Sequence, residues 1–141
     1  MGVNHKRVQR LIQEMGLQVR TKKQRKYNSY KGEQGKIAPN LLQRDFSASK
    51  PNEKWLTDIT EFRVKDKKRY FSPILDCFNN ELIAYGLSRR PNGRLVQEML
   101  LQAVKKLPRK ANLILHSDQG IHYQMPSYQR LLAKNRIAQS M

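Results

Sequence analysis

Trp55-Leu56-Thr57-Asp58-Ile59-Thr60-Glu61-Phe62-Arg63-Val64 is rich in β-branched and aromatic residues and follows the turn-forming Lys50-Pro51-Asn52, a pattern that predicts a strand. Alternation places Leu56, Asp58, Thr60 and Phe62 on one face and Trp55, Thr57 and Ile59 on the other. Apolar groups on both faces predict an interior strand covered on two sides. Asp58 is then a carboxylate among groups that would otherwise be buried, which is costly unless something pairs with it. A divalent cation is one suitable partner.

A second stretch answers the first. Leu113-Ile114-Leu115 is a short apolar run broken by His116-Ser117-Asp118-Gln119-Gly120. This reads as a strand whose C-terminal end delivers Asp118 into a loop, with Gly120 allowing a sharp turn. Two aspartates distant in sequence meet if their strands are neighbours.

The rest of the chain supplies the elements between and around them. Lys65-Asp66-Lys67-Lys68 is a polar turn, Arg69 to Phe78 a second strand and Leu82 to Ser88 a third, so that three antiparallel strands form a meander. Pro73 lacks the ladder donor, which predicts an edge position or a bulge. Asn92 caps a helix from Gly93 to Leu107, Pro126 opens a helix over Ser127 to Asn135, and Ile137-Ala138 begins another strand. The predicted order is β-β-β-α-β-α-β, an α/β fold. Upstream, Asn4 caps a helix from His5 to Met15 that Gly16 ends, with Val8, Leu11, Ile12 and Met15 as its apolar stripe and Lys6, Arg7 and Arg10 away from it.

The 141 residues suffice for one core and a small appendage. A formal net charge of +17 exceeds what solubility requires and points to a polyanion, nucleic acid before any membrane surface. Lys22, Lys23, Arg25 and Lys26, interspersed with Tyr27 and Tyr30, suit phosphate contacts and base stacking, although a solvated linker has the same composition. Cys77 is the single cysteine, which excludes an intramolecular disulfide and a thiolate zinc cluster. No signal peptide or apolar run of about 18 residues occurs, so a cytoplasmic, nucleoid-associated setting is expected.

Several blocks together carry a resemblance: Ala38 to Phe46, Pro51 to Thr60, and His116-Ser117-Asp118-Gln119-Gly120-Ile121-His122-Tyr123. They resemble the transposases of bacterial insertion sequences, whose catalytic core is related to retroviral integrases and has a ribonuclease-H-like mixed sheet. Asn4 to Ile12 with Gly16-Leu17 is similar to the last helix of that family's helix-turn-helix region. The resemblance implies three segments: residues 1–26, part of a helix-turn-helix DNA-binding region with its basic arm; residues 27–50, a linker; and residues 51–141, the catalytic core.

It also implies DNA transposition and integration by metal-dependent strand cleavage and strand transfer. Asp58 and Asp118 match the first two acids of an Asp-Asp-Glu set, as catalytic residues and ligands of two Mg²⁺ or Mn²⁺ ions. Asp58 is the candidate to bridge both ions, with Asp118 holding one. The glutamate would lie about 35 residues past Asp118, beyond Met141, so the resemblance predicts an inactive fragment truncated at both ends. Glu61 and Asn79-Asn80 depart from the family pattern, and Glu61 reads as a solvated or paired strand residue. The expected partner is double-stranded DNA, element ends and target, through Lys6, Arg7, Arg10, Lys22, Lys23, Arg25, Lys26 and His122. Homo-oligomerisation is implied for the intact transposase, and no membrane. His116 reads as a packing and loop-bonding residue, and Asp76 as a turn acceptor. A nuclease of the same fold and a non-enzymatic DNA-binding remnant are the alternatives.

Overall fold

The computed structural model describes residues 5–16, 35–108 and 111–141. Two compact units divide the chain, Met1–Tyr30 and Lys31–Met141. In the first, helix α1 (His5–Glu14) ends at Gly16, whose φ of 61° is the left-handed conformation that glycine adopts without strain. Its Val8, Leu11, Ile12 and Met15 are exposed, as are Lys6, Arg7 and Arg10, and Arg10 pairs with Glu14 at 3.4 Å. Asn4 and the basic arm with Lys22, Lys23, Arg25 and Lys26 lie outside the described residues.

The second unit is built on a six-stranded mixed sheet. Its elements are β1 (Lys54–Thr57), β2 (Thr60–Val64), β3 (Lys67–Asp76), β4 (Leu82–Ser88), α2 (Gly93–Val104), β5 (Ile114–His116), α3 (Ile121–Gln124), α4 (Pro126–Lys134) and β6 (Ala138–Ser140). β3 pairs antiparallel with β1, β2 and β4, and β5 lies parallel between β1 and β6. The meander and the order of the remaining elements agree with the sequence reading. The short α3 is an addition to it.

The stretch read as one strand is two. β1 and β2 face β3 in one continuous register, Thr57 opposite Ile74 and Thr60 opposite Phe71, and only Asp58 and Ile59 leave the ladder. In that register Asp58 would face Pro73, which has no N–H to donate. Pro73 therefore occupies an interior strand rather than an edge. The expected bulge follows at once, between Ile74 and Leu75.

One sheet face is the core. Trp55, Ile74 and Leu115 pack there against Val96, Met99, Leu100 and Ala103 of α2, whose start is fixed by Asn92 accepting from Leu95 N at 3.0 Å. At Gly86 a Cβ would lie 2.7 Å from Leu95 Cδ1, so the helix seats closely on β4. The opposite face is open at Leu75 (37% exposed), Tyr85 (52%) and Leu87 (61%), so β1 and β3 are not covered on two sides by the described residues. Residues 35–50, the later part of the segment read as a linker, lie along this unit: Leu42 is buried, Leu41 N donates to Ser140 Oγ at 2.8 Å, and Gln129 Nε2 donates to the Lys36 carbonyl at 2.6 Å.

Asp76 closes the β1–β3 end. Only 1% exposed, its carboxylate accepts from Asn52 N at 2.7 Å, Trp55 Nε1 at 3.2 Å and Phe78 N at 2.9 Å. It is a structural acceptor, as its place beside a turn predicts. Asp76→Ala leaves three donors unmatched and is expected to destabilise the core unit by about 3 kcal/mol, to be read as a drop in the denaturant midpoint.

Candidate active site

The parallel pairing of β1 with β5 aligns Leu56 with His116. Asp58 and Asp118 each lie two residues beyond that pair, at the C-terminal ends of neighbouring strands whose axes run roughly 4.8 Å apart. Both aspartates line one cavity of about 290 Å³, walled by Phe46, Leu56, Pro73 and Leu75 and bordered by His116. The fold thus brings together the two acids that the sequence singled out.

Both carboxylates are exposed, which corrects the expectation that Asp58 sits among buried groups. The break in the ladder turns it outward instead of enclosing it. Each aspartate uses Oδ1 in the same way. Asp58 Oδ1 accepts from Ile59 N at 2.7 Å, and Asp118 Oδ1 accepts from Gly120 N at 2.9 Å. Neither Oδ2 accepts a hydrogen bond from the described residues, so one oxygen of each is uncommitted among them. Two carboxylates so disposed fit an oxygen-seeking divalent cation. Among the described residues no group of three or more His, Cys, Asp or Glu gathers at one place.

Gly120 is needed for a different reason from the one its turn suggests. Its φ of −60° and ψ of 140° are open to any residue. A Cβ there would stand 2.8 Å from Asp118 Oδ1 and 3.4 Å from Tyr123 Cδ2. The glycine makes room for the carboxylate that folds back on its own loop.

The surrounding groups hold this geometry. His116 Nδ1 lies 2.8 Å from Ser140 Oγ, and its ring meets Phe46 edge-on at 5.9 Å between centroids. Burial lowers the His116 pKa, which favours the neutral ring. His122, on α3, is half-buried, and burial pulls its pKa down more than the charge of Asp118 lifts it. Its Nδ1 is buried without a hydrogen-bond partner among the described residues. Glu61 stands apart from the cavity, held by Lys68 Nζ at 2.7 Å and the Tyr70 hydroxyl at 2.9 Å, the second of the two roles open to it in the sequence.

One neighbour escaped the sequence reading. Tyr123 is buried beneath the site and packs edge-on against Tyr128, ring centroids 5.5 Å apart. Burial drives its phenol pKa far up. The Thr57 and Ser72 hydroxyls are near enough to oppose that rise, yet neither completes a hydrogen bond with Tyr123 Oη. The signal available in sequence was its spacing, five residues past Asp118 on the core side of a helical turn, but a turn of four residues carries too little periodicity to show it.

The fold and these two strand-end carboxylates define a ribonuclease-H-like α/β core of the kind found in polynucleotide-processing enzymes. The integrase core domain family matches residues 48–141, and the chain belongs to that family. It is 58% identical over 139 residues to an uncharacterized transposase-like protein of Haemophilus influenzae, covering 99% of this chain and 63% of that protein. It is 53% identical over 139 residues to an Escherichia coli protein named for transposase InsK of insertion sequence element IS150, covering 99% of this chain and 49% of that one. The chain thus spans 63% of the length of the first of these relatives and 49% of the second. In fold it is similar to the HTLV-2 integrase catalytic core domain solved with magnesium, at a TM-score of 0.56 and 22% identity over 67% of this chain and 62% of that one.

Gly120→Ala is expected to leave the sheet intact and to push Asp118 Oδ1 off the backbone. Loss of that hydrogen bond, worth about 1 kcal/mol, should speed exchange of the residue-120 amide proton roughly fivefold, measured by NMR.

Proposed function

We propose that this chain carries the first two catalytic acids of a DNA transposase, and that Asp58 and Asp118 hold Mg²⁺ or Mn²⁺ for strand cleavage and strand transfer. The observation that carries the reading is the placement of both carboxylates at adjacent parallel strand ends on one cavity, each with an oxygen that accepts no hydrogen bond among the described residues. Divalent cations bound there supply an activated nucleophile and charge stabilisation for in-line displacement at a phosphodiester.

The chain's own residues do the remaining work. Ile59 N and Gly120 N fix the two carboxylates, so little reorganisation is left when a cation arrives. Leu56, Pro73, Leu75 and Phe46 form an apolar wall that keeps water from one side of the acids. Neutral His116, tied to Ser140, adds no positive charge to compete with a metal. Lys6, Arg7 and Arg10 on α1, Lys22, Lys23, Arg25 and Lys26 of the arm, and His122 are the proposed contacts to duplex DNA. In this reading residues 1–26 are part of a helix-turn-helix region. Among the described residues no helix is long and apolar enough to cross a membrane. The names of the relatives favour transposition over a nuclease of the same fold, and the paired acids favour a catalytic ancestry over a purely DNA-binding role.

With only two carboxylates, cation affinity should be weak, on the order of millimolar. Titrating Mn²⁺ into the protein is expected to broaden NMR signals around residues 58 and 118 first. Asp58→Asn should weaken that response tenfold or more. Equal broadening in the wild type and D58N would remove Asp58 from the ligand set.

A further inference from the structure

From Met99 to Met141 the chain carries seven Lys and Arg residues, and its single acid is Asp118. Lys105, Arg130, Lys134 and Arg136 do not line the cavity at Asp118. Lys134 and Arg136 border an open cavity of about 410 Å³ floored by Val104, Leu107 and Pro108. The cavity lies where the chain enters β5 and β6, whereas Asp58 and Asp118 lie where it leaves β1 and β5. From Ala111 to Asp118 an extended chain covers roughly 20 Å, about a duplex diameter. Arg130 precedes Lys134 by one helical turn on α4, and Lys105 lies between the lining residues Val104 and Leu107; all four cations are exposed. Among the described residues none of the four has an ion-pair partner.

Arg136 sits at this pole in a left-handed backbone conformation. Helix α4 closes in a Schellman motif: Ile137 N donates to the Leu132 carbonyl and Arg136 N to the Ala133 carbonyl, both at 3.0 Å. That motif requires a left-handed residue, and Arg136 supplies it at φ 57°. Glycine is the low-cost residue in that conformation, and the same chain uses Gly16 at φ 61° to end α1. At α4 it carries an arginine at some backbone cost, as it does Arg44 and Lys65 elsewhere at φ 70° and 53°. Attraction to the helix dipole is the alternative explanation, and it makes the opposite prediction about stability.

We propose that Arg130, Lys134, Arg136 and Lys105 form a second DNA-binding surface, which grips the sugar-phosphate backbone of a duplex segment other than the one at Asp58 and Asp118. The inference rests on the reading of the chain as a DNA-processing protein. Phosphate contacts of this kind carry no sequence preference and are salt-dependent.

The test is duplex binding by the full chain at several salt concentrations, with thermal unfolding in parallel. Arg136→Gly should keep or raise the melting temperature while weakening binding. The triple variant R130Q/K134Q/R136G should flatten the log–log salt slope by between about 2 and 3, close to 0.9 for each lost contact. A wild type that binds with a steep slope and a triple variant with the same slope would overturn the second surface alone. A melting temperature lowered by Arg136→Gly with unchanged binding would assign Arg136 to the helix dipole and overturn it as well. A wild type that binds no duplex at any salt would sink the DNA-processing reading itself.

Discussion

Parallel pairing of β1 with β5 needs a long crossover, and here β3, β4 and α2 provide it. The pairing fixes Trp55 opposite Leu115 and Leu56 opposite His116, and everything at the site follows from that register. A shift of one residue would turn Asp58 or Asp118 to the α2-covered face, where Trp55 and Leu115 are buried. Burial of Trp55 and Leu115 against α2 is therefore what holds the acids on the accessible side. The site depends on the core through strand parity, with no direct contact between the acids and α2 required.

Asp58 and Asp76 show how the same side chain acquires opposite roles at two ends of one strand pair. Asp76 faces Trp55 across the antiparallel β1–β3 ladder and is enclosed by three donors. Asp58 leaves the same ladder where its opposite residue would be Pro73, and it binds only its own loop N–H. A carboxylate saturated by protein donors has little to offer a cation. One with an idle oxygen beside a second such group retains that capacity. Pro73 thus serves the site from the neighbouring strand: it interrupts pairing at the place where an exposed carboxylate is wanted.

The meander, the crossover helix and both aspartates were legible because they rest on local patterns: alternation, an Asn cap, and short apolar runs ended by Asp. The strand break was not legible, since it depends on Asp58 meeting Pro73 across fifteen residues of chain, and alternation continues smoothly through it. The role of Gly120 was misread for a related reason. A glycine in a loop suggests backbone freedom, whereas its φ is ordinary and the demand comes from the Asp118 carboxylate. Tyr123 was missed because its neighbours, Thr57 and Ser72, come from strands far off in sequence. Residues 35–50 belong to the segment read as linker; the side chains of Leu42 and Phe46 could suggest docking, but the contacts of Leu41 N with Ser140 and of the Lys36 carbonyl with Gln129 involve backbone groups that composition does not reveal.

The charge pattern of the core unit follows from the same topology. Acids that pair with cations do so locally, as in Asp45 with Lys54, Glu61 with Lys68 and Glu98 with Arg94, and these exposed pairs contribute little to stability. Beside the Glu61–Lys68 pair, β2, β3 and the turn between them still carry Arg63, Lys65, Lys67 and Arg69 against Asp66 and Asp76. After Glu98 no acid remains except Asp118, so the ends of α2 and α4 carry an uncompensated positive field. Because β5 and β6 both run from that pole toward the aspartates, the short sheet separates a cationic end from an anionic one. A cation at the acids and phosphates at the far pole then meet fields of the right sign without competing. The two ends therefore have no electrostatic reason to share one ligand, and a polyanion long enough to reach both would have to bend around the unit.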